Sequence, residues 1–305
     1  MSAKWVAGSV RARLLARHCV GVDGARDIAS AGSVDAAIVR LRASAYGRTS
    51  IGADSVLRAQ HAVWTTTVWD LRVLAGWLPG AGVGVVRAFA GSFEIENIAD
   101  RLAFLAGTDE PLVFELGSLG NVSTRVRDAA SVHEVREQLR TSPWGDPGSD
   151  EREHILMSLR LEWARRLGEI GAAAAWGGAA AALVLARLLV QREEPISPDV
   201  RRRANLLGRR ALEATSLTAF VAALPDAARW VFDGIDSPEE LWRAEAAWWR
   251  RVDVDGERLL RAARPGPDVV VGAIARRLVD AWRTCAALEV ASRGGRTEEL
   301  VDVFA

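Results

Sequence analysis

The stretch SVDAAIVRLRASAYG, residues 33–47, has the apolar spacing of an amphipathic helix. Val34, Ile38 and Leu41 follow one another at intervals of four and three residues, which places them on one helical face. Ser33 is a favourable N-cap, because its side-chain oxygen can accept a hydrogen bond from a free backbone N–H in the first turn. The stretch therefore predicts a short helix that buries one face.

The same pattern recurs 98 residues later as SVHEVREQLRTSPWG, residues 131–145. The Ser-Val start, a Leu-Arg pair, a serine and the final glycine align without a gap, and Tyr46 falls opposite Trp144. At the same offset GAGVGVVRA (80–88) falls on GAAAALVLA (178–186), a small-residue start leading into an apolar helix. Self-similarity at a fixed interval indicates internal repetition.

A third, less complete copy begins at Ser237 with SPEELWRAEAAWW, where Ser237 is a predicted N-cap and Pro238 occupies the first helical position. Strand-like alternation is rare along the chain, so the predicted class is all-α. Units of about 100 residues have the size of small domains. We therefore predict three similar helical units over 1–110, 111–208 and 209–305.

The composition limits the classes of function. Lys plus Arg and Asp plus Glu number 39 each, so the net charge is zero and nothing in it favours nucleic acid as a partner. The two cysteines, Cys19 and Cys285, lie far apart in sequence; one disulfide is arithmetically possible, but the absence of a cysteine-rich framework favours a reducing cytoplasm. The longest uncharged stretch, residues 170–186, is short and rich in Ala and Gly, so we expect an internal helix there.

Motifs for catalysis and metal binding are scarce. A phosphate-binding loop of the Gly-Lys-Ser/Thr type does not occur, and Lys4 is the one lysine. Glu151 and His154 form a Glu-x-x-His pair of the kind used in di-iron bundles, but the sequence has no second pair. No His-Glu-x-x-His, Cys-x-x-Cys or Gly-x-Ser-x-Gly motif is present. We therefore predict no catalytic, cofactor-binding or metal-binding residues.

The stretch GSFEIENIADRLAFLAG, residues 91–107, raises the question of acid–base chemistry. Its three carboxylates are Glu94, Glu96 and Asp100. Its apolar residues repeat at intervals of three, four and three: Ile95, Ile98, Leu102 and Leu105. This spacing predicts a helix capped by Ser92 and ended by Gly107. We expect the carboxylates on its polar side, in a structural or interfacial role.

The chain contains twelve tryptophans, most of which lie in helical stretches and are expected in the core. Trp242, Trp248 and Trp249 share one short stretch with several arginines. Trp and Arg are the residue types that most often anchor protein interfaces. These three tryptophans are therefore the predicted partner contacts.

The stretch 91–107 resembles a segment of the C/d family of rotor subunits, which occurs in archaeal and bacterial A/V-type ATPases (ATP synthases) and in eukaryotic V-ATPases. The positions of that segment are filled here by Glu96, Asn97, Leu102 and Gly107. Two further stretches look like family helices, WVAGSVRARLLA (5–16), which contains Arg11, and VDAAIVRLRASAYG (34–47), which contains Tyr46. Residues 266–304 are similar to the family's C-terminal helix pair, but RRLVDAWRT (276–284) departs from its usual charge-rich run.

The resemblance implies an all-α fold of three similar units in a pseudo-threefold, funnel-like arrangement. It also implies a non-catalytic central-rotor protein that links the membrane proteolipid ring to the central stalk and transmits torque for proton or sodium transport coupled to ATP. Such a protein lies peripherally on the cytoplasmic face of the membrane, meets the membrane through the ring, and needs no cofactor, small-molecule substrate or nucleic acid.

Two other interpretations remain open from the sequence. A helical-repeat scaffold or regulatory protein acting outside a rotary ATPase would have the same composition. An all-α enzyme would require carboxylates or histidines that converge in one buried cavity.

Overall fold

A computed structural model of the chain describes residues 3–192 and 197–294. These residues are helical or irregular, with no strand among them, which confirms the predicted all-α class. Part of the predicted C-terminal helix pair, residues 295–304, lies outside the described residues.

The helices follow one another without a strand over the described ranges. The α-helices are α1 Ala3–Arg17, α2 Gly21–Ala29, α3 Val34–Arg42, α4 Val56–Gly76, α5 Gly80–Leu105, α6 Ser123–Arg127, α7 Val132–Arg140, α8 Arg152–Gly168, α9 Ala174–Arg192, α10 Pro198–Arg203, α11 Arg209–Leu212, α12 Leu217–Ala223, α13 Asp226–Arg229, α14 Leu241–Leu260 and α15 Pro267–Ser292. Short 3-10 helices lie at Gly117–Leu119, Gly171–Ala173, Asn205–Leu207, Trp230–Phe232 and Pro238–Glu240.

The described residues form two compact units. The described residues up to Val86 and from Trp249 onward belong to one, which we call the terminal unit, and the described residues of Arg87–Trp248 form the other, the central unit. In the terminal unit α15 packs against α1, α2, α3 and α4. Its core residues include Ile28, Leu41, Tyr46, Val63 and Leu288.

In the central unit α8 packs along α9, and α12 and α13 also pack on α9. The C-terminal part of α5 contributes to a core with α7 and α8 whose residues include Ile98, Leu102, Leu139, Trp144 and Leu159. Each of these side chains is nearly inaccessible to solvent, so the unit has an apolar core of its own.

One helical stretch in the described part of the chain, Gly171–Leu189, is long and apolar enough to cross a membrane by length and composition. A core helix passes the same test, and 56 % of this stretch is buried inside the folded chain. The packing of α9 along α8 agrees with the internal helix expected over residues 170–186.

Several described α-helices begin at a serine N-cap, at Ser33, Ser55, Ser131, Ser197 and Ser216, and three of them are short helices with the same buried positions. Ser33, Ser131 and Ser216 are extended N-cap residues whose side chains accept a hydrogen bond from the backbone N–H three positions later. The residues four and eight positions after each serine are buried: Ala37 and Leu41, Val135 and Leu139, Phe220 and Leu224. The predicted N-cap Ser33 is therefore confirmed, and Ser131, at the start of the second copy, and Ser216 cap helices of the same kind.

Ser237, which the sequence suggested as the start of the third copy, leads into a different structure. The 3-10 helix Pro238–Glu240 follows it, and the Glu240 side chain accepts a hydrogen bond from the Ser237 backbone N–H at 3.3 Å. The residue eight positions later is Glu245, a charged and partly exposed side chain. Ser216 therefore matches Ser33 and Ser131 better than Ser237 does.

The helix predicted over residues 92–105 is longer than expected. Helix α5 runs from Gly80 to Leu105, so the prediction that Ser92 is an N-cap is wrong. Ser92 Oγ instead donates to the Phe89 carbonyl oxygen at 3.1 Å. No proline lies between Gly80 and Ser92, so the helix begins before the serine and continues through it. Gly107 follows the helix with φ +97°, which confirms the predicted end.

Candidate functional site

Glu94 of α5 is fully buried and is surrounded by hydrogen-bond donors. Its Oε1 accepts from the backbone N–H groups of Asn121 at 2.6 Å and Val122 at 2.7 Å. Its Oε2 accepts from the Asn121 side chain at 2.7 Å and from Trp144 Nε1 at 2.9 Å. We call this set, formed by Glu94, Asn121, Val122 and Trp144, the Glu94 clamp.

The prediction that Glu94 lies on the polar side of its helix is therefore wrong. Glu94 precedes Ile98 by four residues and Leu102 by eight, so the three side chains share one helical face. Ile98 and Leu102 are buried, and Glu94 is buried with them. A buried carboxylate is retained where charge-assisted hydrogen bonds replace its lost hydration, and the clamp provides them.

Asp280 of α15 has the same role in the terminal unit. This side chain is 4 % exposed and accepts from the backbone N–H groups of Val20 at 3.0 Å and Gly21 at 2.7 Å. Its Oδ2 also accepts from the Tyr46 hydroxyl at 2.7 Å. We call this set, formed by Asp280, Val20, Gly21 and Tyr46, the Asp280 clamp. Tyr46 and Trp144, which align in the sequence repeat, thus make the same kind of contact.

In both clamps the carboxylate belongs to a 26-residue helix, and two consecutive backbone amides belong to a segment at or just before the start of another helix. The aromatic donor follows a Ser-capped helix of nine residues. Each carboxylate therefore joins three segments that are far apart in sequence. This geometry favours a structural role for Glu94 over an acid–base one.

Arg277 extends the Asp280 clamp. Its side chain is 2 % exposed, pairs with Asp70 Oδ2 at 2.7 Å, and has its guanidinium carbon 5.2 Å from the centre of the Tyr46 ring. It also donates to the backbone carbonyl of His18 and lies 3.7 Å from Asp280 Oδ2. Two carboxylates thus balance the buried guanidinium, as a buried charge requires.

The central unit also places a guanidinium over the aromatic ring of its clamp. Arg166 of α8 lies 4.3 Å from the centre of the Trp144 ring. Glu162, also on α8, accepts from Arg166 Nε at 3.0 Å and from Arg165 Nη2 at 2.8 Å. Burial favours the protonated form of Glu162, but the arginines prevail and lower its pKa.

Alkaline pH is expected to weaken the terminal unit. Burial raises the pKa of Cys19 and Cys285 above 9.0 and that of Tyr46 well above 10.0, and the chain has no other cysteine or tyrosine. As the pH rises, these groups lose protons first in the unfolded chain. Their contribution to stability is therefore complete below their unfolded pKa values and is lost as the pH rises towards the folded ones.

We expect the urea midpoint to fall between about pH 8 and about pH 10.5, and to fall less in Tyr46→Phe, which cannot ionise. The comparison uses the pH-dependent change, because Tyr46→Phe also removes a hydrogen bond at every pH. An equal fall in both proteins would contradict the assignment.

Asn97, one of the residues that carry the sequence resemblance, is hydrogen-bonded to the backbone of the segment that follows α5. Its Nδ2 donates to the Phe114 carbonyl at 2.9 Å, and its Oδ1 accepts from the Phe114 N–H at 2.8 Å. The amide thus holds the segment after α5 against the helix. Of the other motif residues, Leu102 is buried, Glu96 is exposed and Arg11 is partly exposed.

The three tryptophans predicted as partner contacts lie in different environments on α14. Trp242 is 52 % exposed, with the Arg243 guanidinium 5.4 Å from its ring centre. Trp248 is 9 % exposed and donates from Nε1 to the Trp176 carbonyl at 2.9 Å. Trp249 is half-buried and stacks on Trp282 with 5.3 Å between ring centres. Trp242 is thus the most exposed of the three.

The Glu151–His154 pair lies at the beginning of α8, where Glu151 is the N-cap residue. Over residues 3–192 and 197–294, no group of three or more His, Cys, Asp or Glu side chains is placed to hold a metal ion. Cys19 and Cys285 are free thiols.

Searches among known proteins do not extend these observations. No protein-family model matches the sequence, and no curated protein matches it.

Proposed function

We propose that the chain is a non-catalytic rotor component of a V/A-type ATPase, of the C/d family. It would link the membrane ring of proteolipid subunits to the central stalk and transmit torque for proton or sodium transport coupled to ATP. Its place would be peripheral, on the cytoplasmic face of the membrane. The resemblance in sequence motivates this proposal, and the paired clamps are the structural observation that supports it.

The clamps suit a body that transmits torque. Each one fixes a long helix to the backbone of a second segment and to an aromatic side chain of a third, for example α15 to Gly21 and to Tyr46. Charge-assisted hydrogen bonds in a buried setting are strong and resist local opening. A rotor adaptor needs this resistance because it has to turn without deforming.

The proposal includes three helical units, over 1–110, 111–208 and 209–305, in a funnel-like pseudo-threefold arrangement. Each range contains one short Ser-capped helix with buried residues four and eight positions after the serine, at Ser33, Ser131 and Ser216, which supports the division into three. No carboxylate clamp accompanies the Ser216 helix among the described residues, so the third unit would be the divergent one.

The test is an affinity pull-down of the tagged full-length chain from gently solubilised native membranes, with mass spectrometry of the bound proteins. Recovery of stalk and proteolipid subunits in a stable ratio is the expected result. Recovery of the chain alone or with unrelated partners, while the ATPase purifies intact without it, would overturn the proposal. A scaffold acting outside a rotary ATPase would then be the better description.

The same pull-down tests Trp242. We expect Trp242→Ala to lower recovery of the ATPase subunits at least tenfold, because truncating an anchor tryptophan costs about 2 kcal/mol or more. The urea midpoint should stay unchanged, since the side chain is 52 % exposed. Val254→Ala is the control, as Val254 lies on the same helix and is 62 % exposed. Equal recovery of the ATPase subunits with Trp242→Ala and Val254→Ala would show that Trp242 is not a partner contact.

A further inference from the structure

Helix α1 belongs to the terminal unit, and it exposes apolar side chains on the face that does not pack against the rest of that unit. Val6, Val10 and Leu14 follow one another at intervals of four residues and are 45 %, 53 % and 44 % exposed. They fall within an arc of about 80° around the helix axis, because successive residues turn by about 100°. We call these three residues the α1 seam.

Other side chains of α1 fix the helix within the terminal unit. Ser9 Oγ accepts from the Gly266 N–H at 3.0 Å, and Arg13 Nη2, beside the seam, donates to the Ala262 carbonyl at 2.7 Å. Ala12 and Leu15 are buried on the side of α1 away from the seam. These contacts hold α1 in place, so the seam is a fixed surface, as a docking surface requires.

The charges around the seam have one sign. Lys4, Arg11, Arg13 and Arg17 all lie on α1, and the first acidic residue of the chain is Asp23. Lys4 and Arg17, near the two ends of the seam, are exposed, and neither forms an ion pair with the described residues. An apolar surface flanked by these cations complements a partner that is apolar in the middle and acidic at its edges.

These features favour one class of partner. A second copy of α1 would bring like charges together, which opposes self-association. A helix that lies in a bilayer surface needs a broad apolar face, often with aromatic residues, and the seam is narrow and has none. A narrow stripe with charged flanks is instead the pattern by which two helices pack along a shared seam.

We propose that the α1 seam docks an amphipathic helix of a partner protein, with apolar residues flanked by Asp or Glu. This inference does not depend on the rotary-ATPase proposal, because it follows from the exposure and charge of α1 alone.

The test places a photo-crosslinking amino acid, p-benzoylphenylalanine, at Val10 of the full-length chain in its native cells. The matched control places it at Val39, which is 63 % exposed on α3. We expect a protein adduct from position 10 and none from position 39. Mass spectrometry should find the crosslinked peptide to have apolar residues three or four apart with Asp or Glu beside them.

Charge reversal then tests the cationic flanks. We expect Lys4→Glu with Arg17→Glu to lower the adduct at least tenfold while the urea midpoint stays unchanged, because both side chains are exposed. If the reversal lowers the midpoint, Lys4→Gln with Arg17→Gln provides the comparison. A lipid adduct, an adduct with a second copy of this chain, no adduct above the level at Val39, or an adduct insensitive to both charge variants would each overturn the proposal.

Discussion

Glu94→Ala is expected to destabilise the protein by about 3 kcal/mol or more, because each buried donor left unsatisfied costs about 1–3 kcal/mol. The substitution removes the acceptor of two backbone N–H groups, at Asn121 and Val122, and of Trp144 Nε1. Urea unfolding of the full-length chain measures the loss.

Glu96→Ala is the matched control. Glu96 is two residues away on the same helix and is exposed, so its removal should change stability by less than about 0.5 kcal/mol. Glu94→Gln should fall between the two, since its one oxygen can still accept while its amide group meets other donors. If Glu94→Ala unfolds at the same urea concentration as Glu96→Ala, the clamp does not stabilise the fold.

Gly177→Ala is expected to destabilise the central unit by about 3 kcal/mol, at the upper end of the usual range for overpacking. A Cβ at Gly177 would lie 2.4 Å from the backbone nitrogen of Gly168 and 2.5 Å from the carbonyl oxygen of Ala164. Both atoms belong to the backbone of α8, which cannot move away as a flexible side chain would. The glycine therefore sets how closely α8 and α9 approach.

Gly178→Ala provides an unusually close control, because it adds the same methyl group one residue further along α9. Its Cβ would meet Ala228 Cβ at 3.6 Å, an ordinary contact. Alanine favours helix over glycine by about 1 kcal/mol, so Gly178→Ala should be neutral or stabilising. Thermal unfolding of both variants makes the comparison. A similar melting temperature for the two would mean that α8 and α9 are not closely packed at Gly177.

Some predictions that depended only on residues close together in sequence are confirmed by the structure. Ser33 and Ser131 cap their helices, and Gly107 adopts the positive φ angle expected after a helix. These features involve residues within a few positions of one another, and their geometry follows from local backbone chemistry. The prediction for Ser92 was wrong, because a serine does not begin a helix when the residues before it are already helical.

The two clamps could not be predicted from residues that are close together in sequence. Asp280 reaches Tyr46 across 234 residues of sequence, and Glu94 reaches Trp144 across 50. A signal for Glu94 existed in its four-residue spacing from Ile98, which places the carboxylate on the buried face. A signal for Asp280 lay in RRLVDAWRT, where an acidic residue interrupts an apolar helix. Neither signal identifies the partner.

The sequence by itself therefore determined the helical class, the repeated Ser-capped helix and the pairing of Tyr46 with Trp144 as equivalent positions. Periodicity and capping establish these features because they act over one or two helical turns. Only the tertiary structure decided which carboxylates are buried, which tryptophans are exposed and how closely α8 approaches α9. Those properties depend on groups brought together from distant parts of the chain, where burial makes an unpaired polar atom or an added methyl group costly.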